Sequence, residues 1–144
     1  MCLLEKIFKI QNKLNELILD KIKGVGFWGA LCEKSDSVVN KRFKSIWLLK
    51  FNRAQMHESM EFEDSLPWKW WKKGEMNEQN LKVEIVDELH FLVSKCLILG
   101  MGAEELFDLY QQKLELNHRR QEEGYLTGEY QKIKNGKEDN EQIR

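Results

Sequence analysis

Four carboxylates in the sequence stand in two pairs of equal spacing. Glu58 and Glu61 are three residues apart, and so are Glu84 and Asp87. On a helix that spacing projects both side chains of a pair from one face. Each pair interrupts an apolar stripe. The line Trp47, Phe51, Ala54 runs on to Glu58 and Glu61 in steps of three and four, and Glu84 and Asp87 lie among Leu81, Val83, Ile85, Val86, Leu89 and Phe91. Carboxylates that converge inside a fold repel one another, and an unpaired buried charge is strongly destabilising. A hard divalent cation with oxygen ligands removes the conflict, and Mg²⁺ suits carboxylates that act together with substrate phosphates. An ExxE pair alone describes many solvated helix faces; its recurrence as ExxD on a second inner stripe is what points to metal. HESME, residues 57–61, is half of a zinc-protease HExxH, but position 61 is Glu where that motif needs His, so this chemistry is excluded.

Cations and amides occupy two further stripes. Leu106, Leu109 and Tyr110 begin a line that Lys113, Asn117 and Arg120 continue, with Gly124 and Tyr125 just beyond. An ammonium, an amide and a guanidinium on one line can grip phosphate oxygens. A basic helix end that complements the macrodipole has the same look. Near the start, Gln11 replaces a core residue in the stripe Leu4, Ile7, Leu14, Ile18, and Asn15 lies one turn on. Amides offer both donor and acceptor, as reading a pyrimidine edge requires, although a Gln at the rim of a core is also common. The stretch MHESMEFEDSLPWKWWKK, residues 56–73, sets acid beside indole around Pro67, the only proline. Its tryptophans suit a plain core, a dimer contact or the wall of a pocket.

These side chains need long helices to position them. The chain has 144 residues, 42% of them hydrophobic, enough for one domain with a real core. Helical periodicity marks segments at about 2–22, 39–65, 77–99 and 103–122. GVGFWG reads as a loop, Pro67 closes the second segment, and GMG, residues 100–102, stops the third. The third segment is apolar nearly all round and therefore central. No alternating strand pattern is convincing, and the tail from about 124 to 144 lacks apolar periodicity, so it is expected to be flexible. The expected fold is an all-α helical bundle forming a single domain over 1–144. A net charge of -1 argues against direct nucleic-acid binding. Cys2, Cys32 and Cys96 form neither a disulfide frame nor a zinc set, no run is apolar enough to span a membrane, and MCLLEKIFKI does not read as a secretory signal. A cytoplasmic location follows as the expectation.

Taken together, the motifs resemble the all-α, dimeric-type dUTPases, a branch of the MazG-like nucleoside triphosphate pyrophosphatases. IQNKLN resembles the family's amide element, ESMEFEDSLPWKWWK its first carboxylate motif and tryptophan segment, and KVEIVDELHF its second carboxylate helix. KLELNHRRQEEGY, with GEYQK and NGKEDNE after it, resembles the C-terminal phosphate-binding region. The resemblance implies Mg²⁺, two or more ions per site, held by Glu58, Glu61, Glu84 and Asp87, with Glu58 or Glu61 orienting and deprotonating the attacking water. It implies that Gln11 and Asn15 line the uracil pocket, shaped by Trp68 and Trp71. Lys69, Lys113, Asn117, Arg120 and Tyr125 would face phosphate or sugar, and Lys137, Asp139 and Asn140 would belong to a tail that closes over the nucleotide. The implied reaction is dUTP plus water giving dUMP and pyrophosphate, with dUDP as a further substrate, in a homodimer. Leu114, beside Lys113, departs from the polar residue the pattern has there. Two alternatives stand beside this reading: a MazG-like pyrophosphatase for another nucleotide such as dCTP, and a phage-type helical interaction protein with a degenerate site.

Overall fold

Leu3–Lys23 form α1, Phe27–Cys32 α2, Val38–Asp64 α3, Glu78–Ile98 α4 and Ala103–Glu122 α5. A two-stranded antiparallel hairpin follows, β1 (Ile133–Lys134) and β2 (Lys137–Glu138), and then a 3₁₀ turn at Asp139–Gln142. This computed structural model describes residues 2–144. The all-α class read from the sequence is the one observed. The chain divides into two compact units, one ending at Gly102 and the other Ala103–Arg144.

Local chemistry sets the helix ends. Cys2 and Glu5 form a capping box at α1, Ser37 Oγ accepts from Asn40 N at 3.1 Å at α3, and Asn77 Oδ1 accepts from Asn80 N at 3.1 Å at α4. The GMG stop is a Schellman closure: Gly100 N donates to Leu97 O at 3.0 Å and Met101 N to Cys96 O at 2.9 Å. Gly100 sits at φ 75°, a left-handed conformation that a Cβ disfavours. The end of α5 repeats the motif, with Gly124 at φ 86° and Tyr125 N donating to Arg120 O at 2.9 Å.

In the first unit, α4 is central, packing against α1, α2 and α3. Three side-chain bonds fix its register on α3: Lys95 Nζ to Asn52 Oδ1 at 3.0 Å, Ser59 Oγ to Glu88 Oε1 at 2.8 Å, and Asn80 Nδ2 to Ser65 Oγ at 2.7 Å. One residue number rises as the other falls, so the two helices are antiparallel, and their carboxylate pairs come to the same level. The core is Leu19, Trp28, Leu31 and Ile98, with Phe27, Phe43, Trp47 and Phe51 against it. Phe27 meets Phe43 and Trp47 edge-on at 5.6 and 5.1 Å, a geometry that adds to simple burial.

Two expectations are corrected here. GVGFWG is not wholly loop, because Phe27 opens α2. The Asp20 carboxylate accepts from Gly26 N and Trp28 N, both at 2.8 Å, and anchors that helix start; these bonds hold its pKa below the ordinary value. A tertiary cap of this kind leaves no periodic trace in six residues. On α1, the buried face is Phe8, Gln11, Asn15 and Leu19, while Ile7, Leu14 and Ile18 are exposed. The helix is apolar on two faces, and the one against α2 and α4 is turned by about one residue from the expected stripe.

The second unit carries structure where no strand was expected. Ile133 pairs with Glu138 and Lys134 with Lys137 across Asn135-Gly136, both at positive φ. That is the dipeptide and conformation of a tight two-residue hairpin.

Candidate active site

Glu58 on α3 and Glu84 and Asp87 on α4 bring one carboxylate oxygen each within 4.8 Å of one another. Glu84 is buried, and Asn80 Nδ2 holds its Oε1 at 2.9 Å. Burial, followed by the charges of Glu61, Asp87 and Glu84, pushes the Glu58 carboxyl above its ordinary pKa. The expected convergence is therefore present for three of the four acids. Glu61 is exposed and outside the trio, though near enough for its charge to act on Glu58. The donor set fits a hard divalent cation: it is all oxygen and carries excess negative charge, since three like charges act on Glu58 against the one opposite charge of His57. Ligand oxygens around an octahedral Mg²⁺ lie about 3–4 Å apart, so small rotamer changes close the trio on an ion.

The amides expected at the base are brought together with two residues that periodicity did not single out. Gln11, Asn15 and Ser94 are only 5%, 6% and 1% exposed. Gln11 Nε2 donates to Asn15 Oδ1 at 2.8 Å and to Ser94 Oγ at 3.2 Å, and Asn15 Nδ2 donates to Ser94 Oγ at 2.9 Å. His90 Nδ1 lies 2.5 Å from Gln11 Oε1. His90 is three residues beyond Asp87, so this network continues the α4 face that carries the metal-ligand candidates. A stripe analysis tuned to carboxylates passes over a Ser and a His that act through hydrogen bonds from another helix. Another unforeseen feature is Gln55, half-buried one turn before Glu58, whose Oε1 is a buried acceptor with no hydrogen-bond partner among the described residues.

Trp68, Lys69 and Trp71 lie in the turn after α3, and all three are exposed. Trp71 meets Trp68 and Trp70 edge-on at 5.8 and 5.6 Å, Lys69 Nζ sits 4.9 Å over Trp68, and Trp68 Nε1 donates to Asp64 Oδ1 at 3.2 Å. A cavity of about 190 Å³ opens there against Asp64, Leu66, Pro67 and Lys72. This exposure rules out the plain-core role for these tryptophans within the chain.

In the second unit, Lys113, Asn117, Arg120, Asp139 and Asn140 converge. Arg120 Nε donates to Asp139 Oδ2 at 2.8 Å and Nη2 to Asp139 Oδ1 at 2.6 Å, a bidentate pair in which both partners are buried. Its Nη2 also reaches Asn140 Oδ1 at 3.1 Å and its Nη1 Asn117 Oδ1 at 3.3 Å. Lys113 Nζ donates to Asn140 Oδ1, and Tyr130 OH donates to Asp139 Oδ2. Arg120 first, then Tyr130, holds the Asp139 carboxyl well below the usual carboxylate range. Lys137 and Tyr125 stand apart from this knot, Lys137 paired with Lys134 in the hairpin and the Tyr125 ring 6.2 Å from that of Tyr130.

Comparison with known proteins adds independent evidence. A family model described as dUTPase matches residues 3–98, a span that holds the carboxylate trio, the amide network and the tryptophan turn. A dCTP pyrophosphatase of Enterobacteria phage LZ5 is 40% identical over 78 residues, covering 45% of this chain and 45% of the relative. A dCTP pyrophosphatase of Enterobacteria phage T4 is 38% identical over 78 residues, covering 45% of this chain and 46% of the relative. The chain thus matches somewhat less than half the length of these curated relatives. No solved structure matches it. With the family match running over most of the chain, the chain belongs to the all-α, dimeric-type dUTPase family.

Proposed function

We propose that the protein hydrolyses a pyrimidine deoxynucleoside triphosphate to the monophosphate and pyrophosphate, using Mg²⁺. The observation that carries this reading is the trio Glu58, Glu84 and Asp87, which bring one carboxylate oxygen each within 4.8 Å of one another. These three side chains would hold the ion, with Glu61 at hand for a second. A bound Mg²⁺ supplies charge neutralisation for the triphosphate and a more acidic water. Glu58 or Glu61 would orient the attacking water and take its proton; Glu61 lies exposed and outside the trio, which supports Glu61 for that role. Gln11 and Asn15 meet the base, with Trp68 and Trp71 as its walls and Lys69 toward sugar or phosphate. Taken by itself, the second unit offers Lys113 and Asn117 as groups suited to phosphate oxygens. Arg120, engaged by Asp139, organises Asn140 and the tail that carries Lys137 and Tyr125.

Family membership favours dUTP as the base-bearing substrate, and the two phage relatives favour dCTP. The working form is a homodimer. Leu3, Ile7, Ile10, Leu14 and Leu17 make an exposed apolar stripe along α1 at coiled-coil-like spacing, a face suited to a second copy. Pyrophosphate release from a panel of deoxynucleoside triphosphates, with Mg²⁺ and with a chelator, tests the proposal. Mg²⁺-dependent release from dUTP or dCTP is expected. No release from any nucleotide contradicts it.

A further inference from the structure

Four polar side chains between α1 and α4 form a set in which one proton fixes the rest. Ser94 Oγ donates to the His90 carbonyl one turn back, at 2.7 Å. With that proton committed, Ser94 can only accept from the two amides it faces, Gln11 Nε2 at 3.2 Å and Asn15 Nδ2 at 2.9 Å. Both amides must therefore turn an N–H toward it. The other Gln11 hydrogen goes to Asn15 Oδ1 at 2.8 Å. Gln11 Oε1 then faces His90 Nδ1 at 2.5 Å, so that ring nitrogen carries the proton. Flipping either amide would set oxygen against oxygen.

The capacity left over is specific. Gln11 has no amide hydrogen to spare and one free lone pair on Oε1. Asn15 has one free hydrogen on Nδ2 and one free lone pair on Oδ1. Together the amides offer two acceptors and one donor. The amino edge of cytosine brings two N4 hydrogens and the N3 acceptor, which fills all three. Uracil brings a single N3 hydrogen between two carbonyl oxygens, leaving one buried acceptor unpaired.

We infer that Ser94 and His90 are positioning residues that hold Gln11 and Asn15 in an acceptor-rich arrangement and thereby favour cytosine over uracil at the base. The inference rests on the proposal that these two amides meet the base. Ser94→Ala deletes one oxygen and frees one hydrogen on each amide. His90→Phe keeps a ring and removes the donor that pins Gln11 Oε1. The full-length protein and both variants are assayed with Mg²⁺ on dCTP and on dUTP. The wild type is expected to prefer dCTP. Each variant is expected to shift the ratio of the two kcat/KM values toward dUTP by about tenfold, the scale of one misplaced buried hydrogen bond, with the change mainly in KM. If one variant does not fold, the other reads the same ratio. A purely structural network would depress both substrates alike. An unchanged ratio on active protein therefore overturns this inference alone, as does a wild type that prefers dUTP. A wild type active on neither substrate overturns the proposed function and this inference with it.

Discussion

Glu58, Glu84 and Asp87 in the first unit and Arg120 with Asp139 in the second are both gatherings of ionisable side chains, yet the second is closed by a buried ion pair while the first is dominated by like charges. Asp139 is gripped on both oxygens by one guanidinium and again by the Tyr130 hydroxyl. The trio has a single amide donor on Glu84, and its charges act on one another. A bidentate pair such as Arg120 with Asp139 can serve as architecture. A cluster of like charges is relieved by a counterion, and its all-oxygen donors suit a divalent cation.

The largest effect should come from breaking the incomplete cluster. Asp87→Asn is expected to lower pyrophosphate release by three orders of magnitude or more, roughly the scale of losing a metal ligand or a transition-state charge contact. The metal-free variant should melt no lower than the wild type, because the substitution relieves repulsion. Circular dichroism and a nucleotide assay on the same sample check both halves. Breaking the complete knot should do the reverse. Asp139→Asn leaves Arg120 without its anion, so amide exchange over residues 133–142 should accelerate while the α1–α4 core keeps its protection.

Acid should separate the two regions by sign. Glu58 has a folded pKa raised above its ordinary value of 4.5, so its contribution to stability is present below that value and is lost as pH rises through the raised one. Asp139 has a depressed pKa, so its contribution is present above its ordinary value of 3.8 and is lost as pH falls toward the depressed one. Lowering the pH from neutral should therefore relax the carboxylate cluster first and release the tail only in stronger acid. Exchange rates at α3 and at the hairpin, followed through the titration, check the order. The smallest effects belong to the two Schellman glycines. Gly100→Ala and Gly124→Ala each force a left-handed residue and should cost about 1 kcal/mol. Gly124 should be the worse, because a Cβ there meets Glu129 and Thr127 side-chain oxygens at 2.8 Å, against 3.0 Å to a flexible Lys34 carbon at Gly100. Thermal melts of the pair compare them.

Where periodicity controls structure, the sequence was a good guide. The limits of α3, α4 and α5 follow from apolar spacing, Ser37 and Asn77 as caps, and the glycines after α4 and α5. The meeting of Glu58 with Glu84 and Asp87 was legible for the same reason, since paired spacing on two inner stripes survives in an antiparallel helix pair. Glu61 shares the three-residue spacing that keeps Asp87 with Glu84, yet it lies exposed and outside the trio, and spacing alone does not separate the two cases. The start of α2 was not legible, because its anchor, Asp20, belongs to another helix. Asn135-Gly136 carries a hairpin signal, but it stands in a tail without the apolar alternation that marks flanking strands. His90 and Ser94 gain their meaning from Gln11 and Asn15 some eighty residues away, a distance that no stripe encodes.

If the trio is a cation site, Mg²⁺ must stabilise the folded protein, and a Mg²⁺ titration of the melting temperature reads this. A ligand that binds only the folded state raises stability with its concentration. The wild type should show a saturable rise in Tm with Mg²⁺, and Asp87→Asn should show none. No rise in the wild type, or the same rise in both proteins, would contradict the assignment of Glu58, Glu84 and Asp87 to metal.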